Sequence, residues 1–241
     1  MKSEEIKNTK FAVLGAGRSG IAITKLLINN GAKEVLLTDE KELTENSLNI
    51  EAENLKMESA GFTDSILDYD VIIKSPGIPP SKEVLVKAKS INKKIYSEVE
   101  AASWFCTAPI IGITGTNGKT TTTVLIGEIF KNAGYKTFVC GNVGKAFSEI
   151  VNEVTKDSIV VLELSSFQLE DIDTLNPEVA IILNITPDHI DWHGSFENYL
   201  NAKLKISKSN TENDLLIYNF DDEILRDKLK NFEKNVSVIS V

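Results

Sequence analysis

The chain has 241 residues, a formal net charge of −9 and 42% apolar residues, which predict a soluble globular protein of one large or two modest domains. The acidic balance argues against a nucleic-acid groove, and neither an apolar run of about 18 residues nor a signal peptide at Met1 to Lys10 is present. Cys106 and Cys140 do not suggest a disulfide framework, so a reducing cytoplasm is the expected location.

The first predicted unit begins with a strand, Lys10 to Leu14, that runs into a glycine loop from Gly15 to Gly20. An apolar helix and a second strand follow, and Asp39 stands at the end of that strand, 19 positions after Gly20. This spacing is typical of a dinucleotide-type βαβ unit, in which the helix N-terminus receives a diphosphate. A plain turn without a ligand, or a nicotinamide or flavin site, are the alternatives.

The rest of this unit contains one further clear strand, Tyr69 to Lys74, which ends in Ser75-Pro76-Gly77. We expect that end to line one crevice with the glycine loop. The segment between residues 41 and 67 is polar, and its leucines at 43, 48 and 55 allow a helix. Ser81 is the predicted cap of a helix over residues 82–90.

A second glycine-rich loop follows the β-branched strand Ile110 to Thr114 and precedes a helix that ends near Gly134. Backbone amides at a helix N-terminus bind anions, Lys119 can reach terminal phosphates, and Thr120 can offer its hydroxyl to magnesium. The first glycine of the usual spacing is replaced by Ile113. The alternative is a threonine-rich turn before an ordinary helix.

Chemistry-bearing residues of the second unit follow its buried strands. Glu163 ends the strand 158–164, and His189 follows the strand 179–185, so both should face the edge that carries the phosphate loop. A surface glutamate and a structural histidine are the alternatives, and His193 is expected to be structural. From composition alone, Lys203 is expected to be a solvated helix lysine.

The alternation of strands and helices predicts an α/β protein with mostly parallel, doubly wound sheets. We expect a Rossmann-like N-terminal domain at residues 1–95. A P-loop-type, mostly parallel central domain is expected at residues 96–241.

Several segments resemble the Mur ligase family in order and approximate spacing. The loop Gly-Thr-Asn-Gly-Lys-Thr at 115–120 is similar to the ATP loop of Mur ligases and folylpolyglutamate synthetases. The most specific segment is Glu-Leu-Ser-Ser-Phe-Gln-Leu-Glu at 163–170, which looks like the D-glutamate-adding (MurD) branch of the family. Further matches lie at residues 75–78, 141–144, 184–189 and 202–205, so the resemblance covers nearly the whole chain.

The resemblance implies an ATP-dependent ligase of peptidoglycan precursor synthesis. The carboxylate of UDP-N-acetylmuramoyl-L-alanine attacks the γ-phosphate of ATP, and the amine of D-glutamate then displaces phosphate from the acyl phosphate. Two anions meet in the first step, so strong positive compensation is required.

The resemblance also implies the residues of the ATP and metal sites. The ATP loop comprises Gly115, Thr116, Asn117, Gly118, Lys119, Thr120 and Thr121. One magnesium ion lies at Thr120 and Glu163, and a second at His189 and a carbamylated Lys203. Lys119, Glu163, His189 and Lys203 are the implied catalytic residues.

The N-terminal glycine loop is, by the same resemblance, the site of the UDP diphosphate. Ser19 is the implied hydroxyl donor and Asp39 the uracil-binding acid. Residues implied for the sugar-peptide path are Gly77, Asn142, Ser165, Gln168 and His189. After Asp39 the family often has Thr-Arg, whereas this chain has Glu40-Lys41, and a lysine lacks the planar fork of arginine.

The resemblance implies a third, amino-acid-binding domain that these 241 residues do not contain. We therefore expect a C-terminally truncated central domain and negligible ligase turnover from residues 1–241 alone. The expected partners are small-molecule substrates, with no nucleic acid or membrane, and the expected state is a monomer. The alternatives are a sister Mur ligase for another amino acid, a nicotinamide-dependent oxidoreductase, and a non-catalytic UDP-sugar-binding protein.

Overall fold

The computed structural model describes residues 1–43, 50–229 and 237–240. It divides the chain into two compact units. The first comprises residues 1–105 and 146–152, and the second comprises residues 106–145 and 153–241. The first unit extends past residue 95, the domain end expected from sequence, because a helix at 98–103 packs against its own sheet.

A five-stranded sheet forms the centre of the first unit. Its strands are β1 (Lys10–Leu14), β2 (Glu34–Thr38), β3 (Leu55–Glu58), β4 (Val71–Lys74) and β5 (Lys94–Ser97). Their order is β3-β2-β1-β4-β5, and every neighbouring pair runs parallel. The chain therefore reverses its direction of winding between β1 and β4, where ligands of such sheets bind.

Before the second glycine loop, the α-helices among the described residues are α1 (Ser3–Asn8), α2 (Arg18–Asn29), α3 (Glu83–Ser90) and α4 (Glu98–Ser103). At Leu55, where the sequence allowed a helix, the edge strand β3 begins instead; Leu48 lies outside the described residues. Lys82, and not Ser81, is the N-cap residue of α3, without a side-chain cap. The short Leu-Lys-Met-Glu run carries too weak an alternation to predict an edge strand.

The sheet of the second unit has six strands. They are β6 (Ile110–Thr114), β7 (Lys136–Gly141), β8 (Ser158–Glu163), β9 (Val179–Ile182), β10 (Leu215–Tyr218) and β11 (Ser237–Ser240). The order is β11-β10-β9-β6-β8-β7, again with parallel pairs. The ends of β8 and β9 thus flank β6, the strand that leads into the phosphate loop.

Helix α5 (Lys119–Asn132) packs on this second sheet, and α9 (Phe196–Leu204) lies further along the chain. Gly127 lets α5 approach β7 closely, since a Cβ at this position would lie 2.3 Å from Val139 Cγ2. The shorter helices are α6 (Phe147–Ile150), α7 (Ser166–Leu169), α8 (Ile190–His193) and α10 (Glu223–Leu229). Within the described ranges, no helix is long and apolar enough to cross a membrane.

Helix α6 lies in the second half of the sequence but belongs to the first unit, where it contacts α2 and α4. Glu98 is 2% exposed, and its carboxylate accepts the Ser148 backbone N–H at 2.7 Å. This bond satisfies one of the amides that a helix N-terminus leaves free. The chain therefore passes between the two units three times, which local sequence patterns do not reveal.

Candidate functional site

The glycine loop of the first unit is shaped by the close approach of its own backbone. Gly15 has φ +94°, and a Cβ at Gly20 would lie 1.7 Å from the Gly15 carbonyl oxygen. The Ser75 hydroxyl, at the end of β4, donates to the same carbonyl at 3.3 Å. The ends of β1 and β4 therefore meet at one edge of the sheet, as the sequence predicted.

Asp39 lies beside this loop and organises the turn around it. Its carboxylate accepts the Ala16 N–H at 2.7 Å and the Lys41 N–H at 2.8 Å. A cavity of about 330 Å³ opens at this point, lined by Ala16, Gly17, Ile21, Asp39, Lys41, Glu42 and Leu43. The cavity joins the N-terminus of α2 to the end of β2, where a nucleoside diphosphate would bind in such a sheet.

The other residues implied for the UDP substrate lie in different surroundings. Ser19 is the second residue of α2 and is half-buried, whereas Gly77 is exposed in the turn after β4. At the departure from the family pattern, Glu40 pairs with Lys82 at 2.6 Å, and Lys41 supplies its backbone amide to Asp39.

The phosphate loop leaves β6 and enters α5 through two glycines with positive φ, Gly115 (+154°) and Gly118 (+83°). The Lys119 ammonium folds back over the loop and donates to the carbonyl oxygens of Gly115 (2.9 Å) and Thr116 (2.8 Å). Thr120 and Thr121 are exposed in the first turn of α5. The loop thus combines a cation, two hydroxyls and the unpaired amides of a helix N-terminus.

A cavity of about 380 Å³ lies next to this loop, over the ends of β9 and β10. It is lined by Asn117, Gly118, Thr122, Ile181, Ile182, Leu183, Asn184, Ile217, Tyr218 and Asn219. Asn184 also bonds the loop directly, since its side-chain oxygen accepts the Asn117 N–H at 2.8 Å. Sequence reasoning missed the role of Asn184, and the signal available for it was its position just after a buried strand.

Glu163 is buried at the end of β8, with 1% of its surface exposed, next to Ile113 of β6. One carboxylate oxygen accepts the Asn142 side-chain amide at 2.7 Å. The other, Oε2, is buried and has no hydrogen-bond partner in the structure. Because an unsatisfied buried carboxylate oxygen is costly, a ligand for it is expected.

This donor set is compatible with magnesium but not with a cage made of protein alone. Among the residues that the structure describes, no group of three or more His, Cys, Asp or Glu could hold a metal ion. Magnesium commonly uses one or two carboxylates together with substrate phosphates and water. The free oxygen of Glu163 and the hydroxyl of Thr120 fit that mode of binding.

Ser165 and Gln168 are brought together by a capping arrangement at the start of α7. The Ser165 N–H and hydroxyl both approach Gln168 Oε1 at 3.0 Å, and the Gln168 N–H donates to Ser165 Oγ at 3.3 Å. Both side chains are nearly buried. Their polar groups therefore stabilise the turn after Glu163.

Lys203 is buried, with 2% of its surface exposed, contrary to the solvated lysine expected from composition. Its ammonium donates to the Gly115 carbonyl oxygen at 2.7 Å and lies 4.9 Å from the centre of the Tyr199 ring. Burial, and secondly the charge of Lys119, lower the pKa of Lys203 to about 7. Lys119 and Lys203 therefore meet at the phosphate loop.

His189 has a more exposed position, with 48% of its side chain accessible. Its ring contacts Phe167 of α7 at 4.8 Å between centroids, and its Nε2 lies 3.5 Å from Asp188. His193, in contrast, is buried, and its Nε2 lies 3.0 Å from the Ser166 hydroxyl. The structure thus brings His189 to the segment that follows Glu163.

Comparison with known protein families assigns both parts of the chain. Residues 10–84 match the MurD N-terminal domain, and residues 113–241 match the Mur ligase middle domain. The two matched ranges contain the two glycine loops, one each.

Curated relatives agree with these matches. The chain is 42% identical over 233 residues to the UDP-N-acetylmuramoylalanine–D-glutamate ligase of Salinibacter ruber, covering 94% of this chain and 50% of the relative. It is 44% identical over 225 residues to the protein of the same name from Geotalea daltonii, covering 92% and 49%. The chain spans about half the length of the curated relatives it matches.

Solved structures show the same fold at lower identity. A UDP-N-acetylmuramate:L-alanyl-gamma-D-glutamyl-meso-diaminopimelate ligase from Neisseria meningitides is 18% identical, with a TM-score of 0.61 over 96% of this chain and 77% of that one. The UDP-N-acetylmuramate-alanine ligase of Thermotoga maritima is 22% identical, with a TM-score of 0.50 over 97% and 53%. The match to the Mur ligase middle domain alone covers more than half of this chain. The chain therefore belongs to the Mur ligase family.

Proposed function

We propose that this chain forms the UDP-substrate-binding and ATP-binding parts of a ligase that adds D-glutamate to UDP-N-acetylmuramoyl-L-alanine. The observation that carries the proposal is the pair of glycine loops, each at the carboxyl end of a parallel sheet in its own unit. Such ends are the ligand-binding edges of open α/β sheets. The names of the relatives that match at 39–44% identity supply the substrate.

In the second unit we assign the loop residues 115–121 to ATP. Lys119 would exchange its two loop carbonyls for phosphate oxygens, with the amides of the α5 N-terminus as further donors. Thr120 and the free oxygen of Glu163 would hold one magnesium ion, and His189 and a carbamylated Lys203 a second. Bound magnesium would neutralise phosphate charge and polarise the transferred group.

In the first unit we assign the cavity beside Asp39 to the UDP part of the substrate. Ser19 and the start of α2 would bind the diphosphate, and Asp39 would accept from the uracil. Gly77 from the first unit, and Asn142, Ser165, Gln168 and His189 from the second, are proposed for the sugar-peptide part. The carboxylate of Asp39 already fixes the turn at Ala16 and Lys41, which supports a preformed base site.

The proposed reaction has two steps. The substrate carboxylate attacks the γ-phosphate of ATP, which releases ADP and leaves an acyl phosphate. The amine of D-glutamate then attacks the acyl carbon, phosphate departs, and an amide forms. Lys119 and the positive end of α5 would offset the negative charges that meet in the first step.

Two alternatives are less well supported. A nicotinamide-dependent oxidoreductase would use the first glycine loop, but residues 10–84 match a MurD N-terminal domain. Redox chemistry would also leave the phosphate loop and Glu163 without a role. A sister ligase for another amino acid shares the fold. The relatives named for D-glutamate favour the first proposal.

The substrate assignment is tested by calorimetric titration of the 241-residue chain with UDP-N-acetylmuramoyl-L-alanine, UDP and NAD. We expect the muramoyl-alanine compound to bind most tightly and NAD not to bind. If the folded chain binds NAD but neither UDP compound, the proposal is contradicted. The variant Asp39→Asn keeps the size of the side chain, and it should weaken the binding of both UDP compounds.

Carbamylation of Lys203 is proposed from the family resemblance, and the buried amine supports it. Carbon dioxide reacts with neutral amines, and a pKa of about 7 leaves a large neutral fraction near neutral pH. Equilibration with ¹³C-bicarbonate should give a carbamate signal in the carbon NMR spectrum that is absent from Lys203→Arg. The same signal in both proteins, or none in the parent chain, would contradict this assignment.

A further inference from the structure

A segment that follows β9 runs along the phosphate loop and bonds it at several consecutive groups. Asn184 Oδ1 accepts the Asn117 N–H at 2.8 Å, and Asn184 Nδ2 donates to the Asn117 carbonyl oxygen at 3.0 Å. The Asn184 carbonyl oxygen accepts the Thr116 N–H at 2.9 Å. One asparagine therefore satisfies the main-chain N–H and carbonyl groups of Asn117 and the main-chain N–H of Thr116.

Thr186, two residues after this asparagine, extends the contact. The Thr186 N–H donates to Thr116 Oγ1 at 3.0 Å, and the Tyr199 hydroxyl lies 2.8 Å from the same oxygen. The two contacts join residues that lie 70 and 83 positions apart in the chain. The loop is thus attached to the segment after β9 by main-chain and side-chain bonds.

Asp222 in turn binds this segment through its carboxylate. One oxygen of this carboxylate accepts the Ile185 N–H at 2.7 Å. The other accepts the N–H groups of Ile224 and Leu225, in the first turn of α10, at 3.0 Å. Asp222 therefore fixes the peptide next to Asn184 to the start of a helix.

A phosphate loop needs this support for a physical reason. Fixing the backbone of one residue costs about 1–2 kcal/mol of conformational entropy, and glycines lose more freedom than other residues. Gly115 and Gly118 lie on both sides of the bonded residues, and both have positive φ. Amides that are oriented before the anion arrives bind it without this cost at the moment of binding.

We propose that Asn184 is a positioning residue of the nucleotide site, which holds the peptide of Asn117 and so orients the amides that follow it. The inference rests on the proposed ATP site of this loop. Because Asn184 Oδ1 occupies the N–H of Asn117, the donors for phosphate are the later amides, from Gly118 into α5. Asp222 supports the same arrangement through Ile185.

The direct test is Asn184→Ala, which removes two hydrogen bonds and leaves the backbone contact to Thr116. We expect the Kd for the magnesium complex of a non-hydrolysable ATP analogue to rise about ten- to a hundredfold, as for the loss of two bonds. UDP affinity at the first unit should remain unchanged. Asn176→Ala is the matched control, because its side chain bonds Asp214 in the same unit.

A second readout separates positioning from general stability. In the ligand-free protein, hydrogen exchange at the Asn117 amide should accelerate in Asn184→Ala, while the amides of β6 keep their protection. Asp222→Asn, which keeps the size of the side chain, should change both measurements in the same direction by a smaller factor. This variant also serves if Asn184→Ala does not fold.

The outcomes distinguish the two proposals. No nucleotide binding by the parent chain would contradict the ATP site, and the exchange rate of Asn117 would still report whether Asn184 holds the loop. Equal Kd values and equal exchange rates for parent and variant would overturn the role of Asn184 and leave the ATP site intact. If Asn184→Ala loses both the exchange protection of the β6 amides and nucleotide binding, Asn184 only stabilises the unit.

Discussion

Lys119 and Lys203 donate to the same acceptor, since their Nζ atoms lie 2.9 and 2.7 Å from the carbonyl oxygen of Gly115. Lys203 is the buried member of the pair. Burial lowers its pKa to about 7, and repulsion from Lys119 adds to this effect. The loop therefore holds one cation for phosphate beside an amine that is neutral in part at pH 7.

The first prediction concerns the pH dependence of stability, measured without bicarbonate. Between about pH 7 and the ordinary lysine pKa near 10.5, the unfolded chain binds one proton more than the folded chain at this site. The free energy of unfolding should therefore gain up to about 1.4 kcal/mol per pH unit from Lys203 as the pH rises. Lys203→Met removes this contribution.

Urea unfolding of the parent chain and Lys203→Met at pH 7, 8 and 9 measures the difference. We expect the gap between the two curves to change with pH, in favour of the parent chain at high pH. Lys208→Met is the control, because Lys208 is half exposed and pairs with Asp173 at the surface. If the free energy of unfolding depends on pH in the same way for the parent chain and Lys203→Met, burial does not shift the pKa of the Lys203 amine.

The second prediction concerns Glu163, whose free oxygen is the proposed magnesium ligand. Glu163→Gln keeps the acceptor for Asn142 and removes the charge. Magnesium-dependent affinity for an ATP analogue should fall by more than about tenfold, the lower end of the losses seen when residues around a metal are changed. Titration calorimetry with and without magnesium measures this effect.

A matched control for Glu163 is present at the other end of the sheet. Glu178 accepts the Ile110 N–H at 2.6 Å, where β6 begins. Glu178→Gln keeps that acceptor and should leave magnesium-dependent affinity unchanged. If both variants bind like the parent chain, Glu163 is not a metal ligand.

The third prediction concerns the first glycine loop. A Cβ at Gly20 would lie 1.7 Å from the Gly15 carbonyl oxygen, so Gly20→Ala must displace the start of α2. Destabilisation of about 1–3 kcal/mol or more is expected from such overpacking, together with loss of UDP binding. Thermal unfolding and UDP titration provide the two measurements.

Gly17→Ala is the steric control for Gly20→Ala. A Cβ at Gly17 meets no atom within 4 Å, and its φ of −72° suits any residue. Its stability should change by less than about 1 kcal/mol, the typical effect of an N-cap exchange. Equal losses in the two variants would refute the close-approach explanation.

The fourth prediction concerns Glu98, which caps α6 inside the first unit. Burial raises the pKa of Glu98, and the bond from Ser148 opposes this shift without cancelling it. The contribution of Glu98 to stability is therefore fully present below the unfolded pKa and is lost as the pH rises through the folded pKa. Glu98→Gln keeps an acceptor for Ser148 and should be more stable than the parent chain at pH 8.

The advantage of Glu98→Gln should disappear as the pH is lowered towards 4. Glu98→Ala should instead be less stable than Glu98→Gln by about 1–3 kcal/mol at every pH, because the Ser148 amide remains buried without its acceptor. Chemical unfolding across this pH range separates the two variants. A glutamine variant less stable than the parent at pH 8 would mean that the buried carboxylate is charged and well compensated.

The amino-acid sequence by itself determined the α/β class, both glycine loops and the strand-end positions of Asp39 and Glu163. These features depend on local patterns, namely apolar runs, glycines at turns and polar residues where buried strands stop. Gly20 is an example, since its spacing from Asp39 predicts the βαβ unit before any contact is known. Local patterns are sufficient because they describe residues that are neighbours in the chain.

Only the tertiary structure decided the surroundings of Lys203, Asn184 and Glu98. Lys203 resembles a solvated helix lysine in sequence, but it bonds a loop 88 positions away and is buried there. Asn184 meets Asn117 across 67 positions, and Glu98 meets Ser148 across 50. Such contacts depend on which strands become neighbours in the sheets and on where α6 packs, which no local period encodes. The proposed chemistry at the phosphate loop depends on the first two of these contacts.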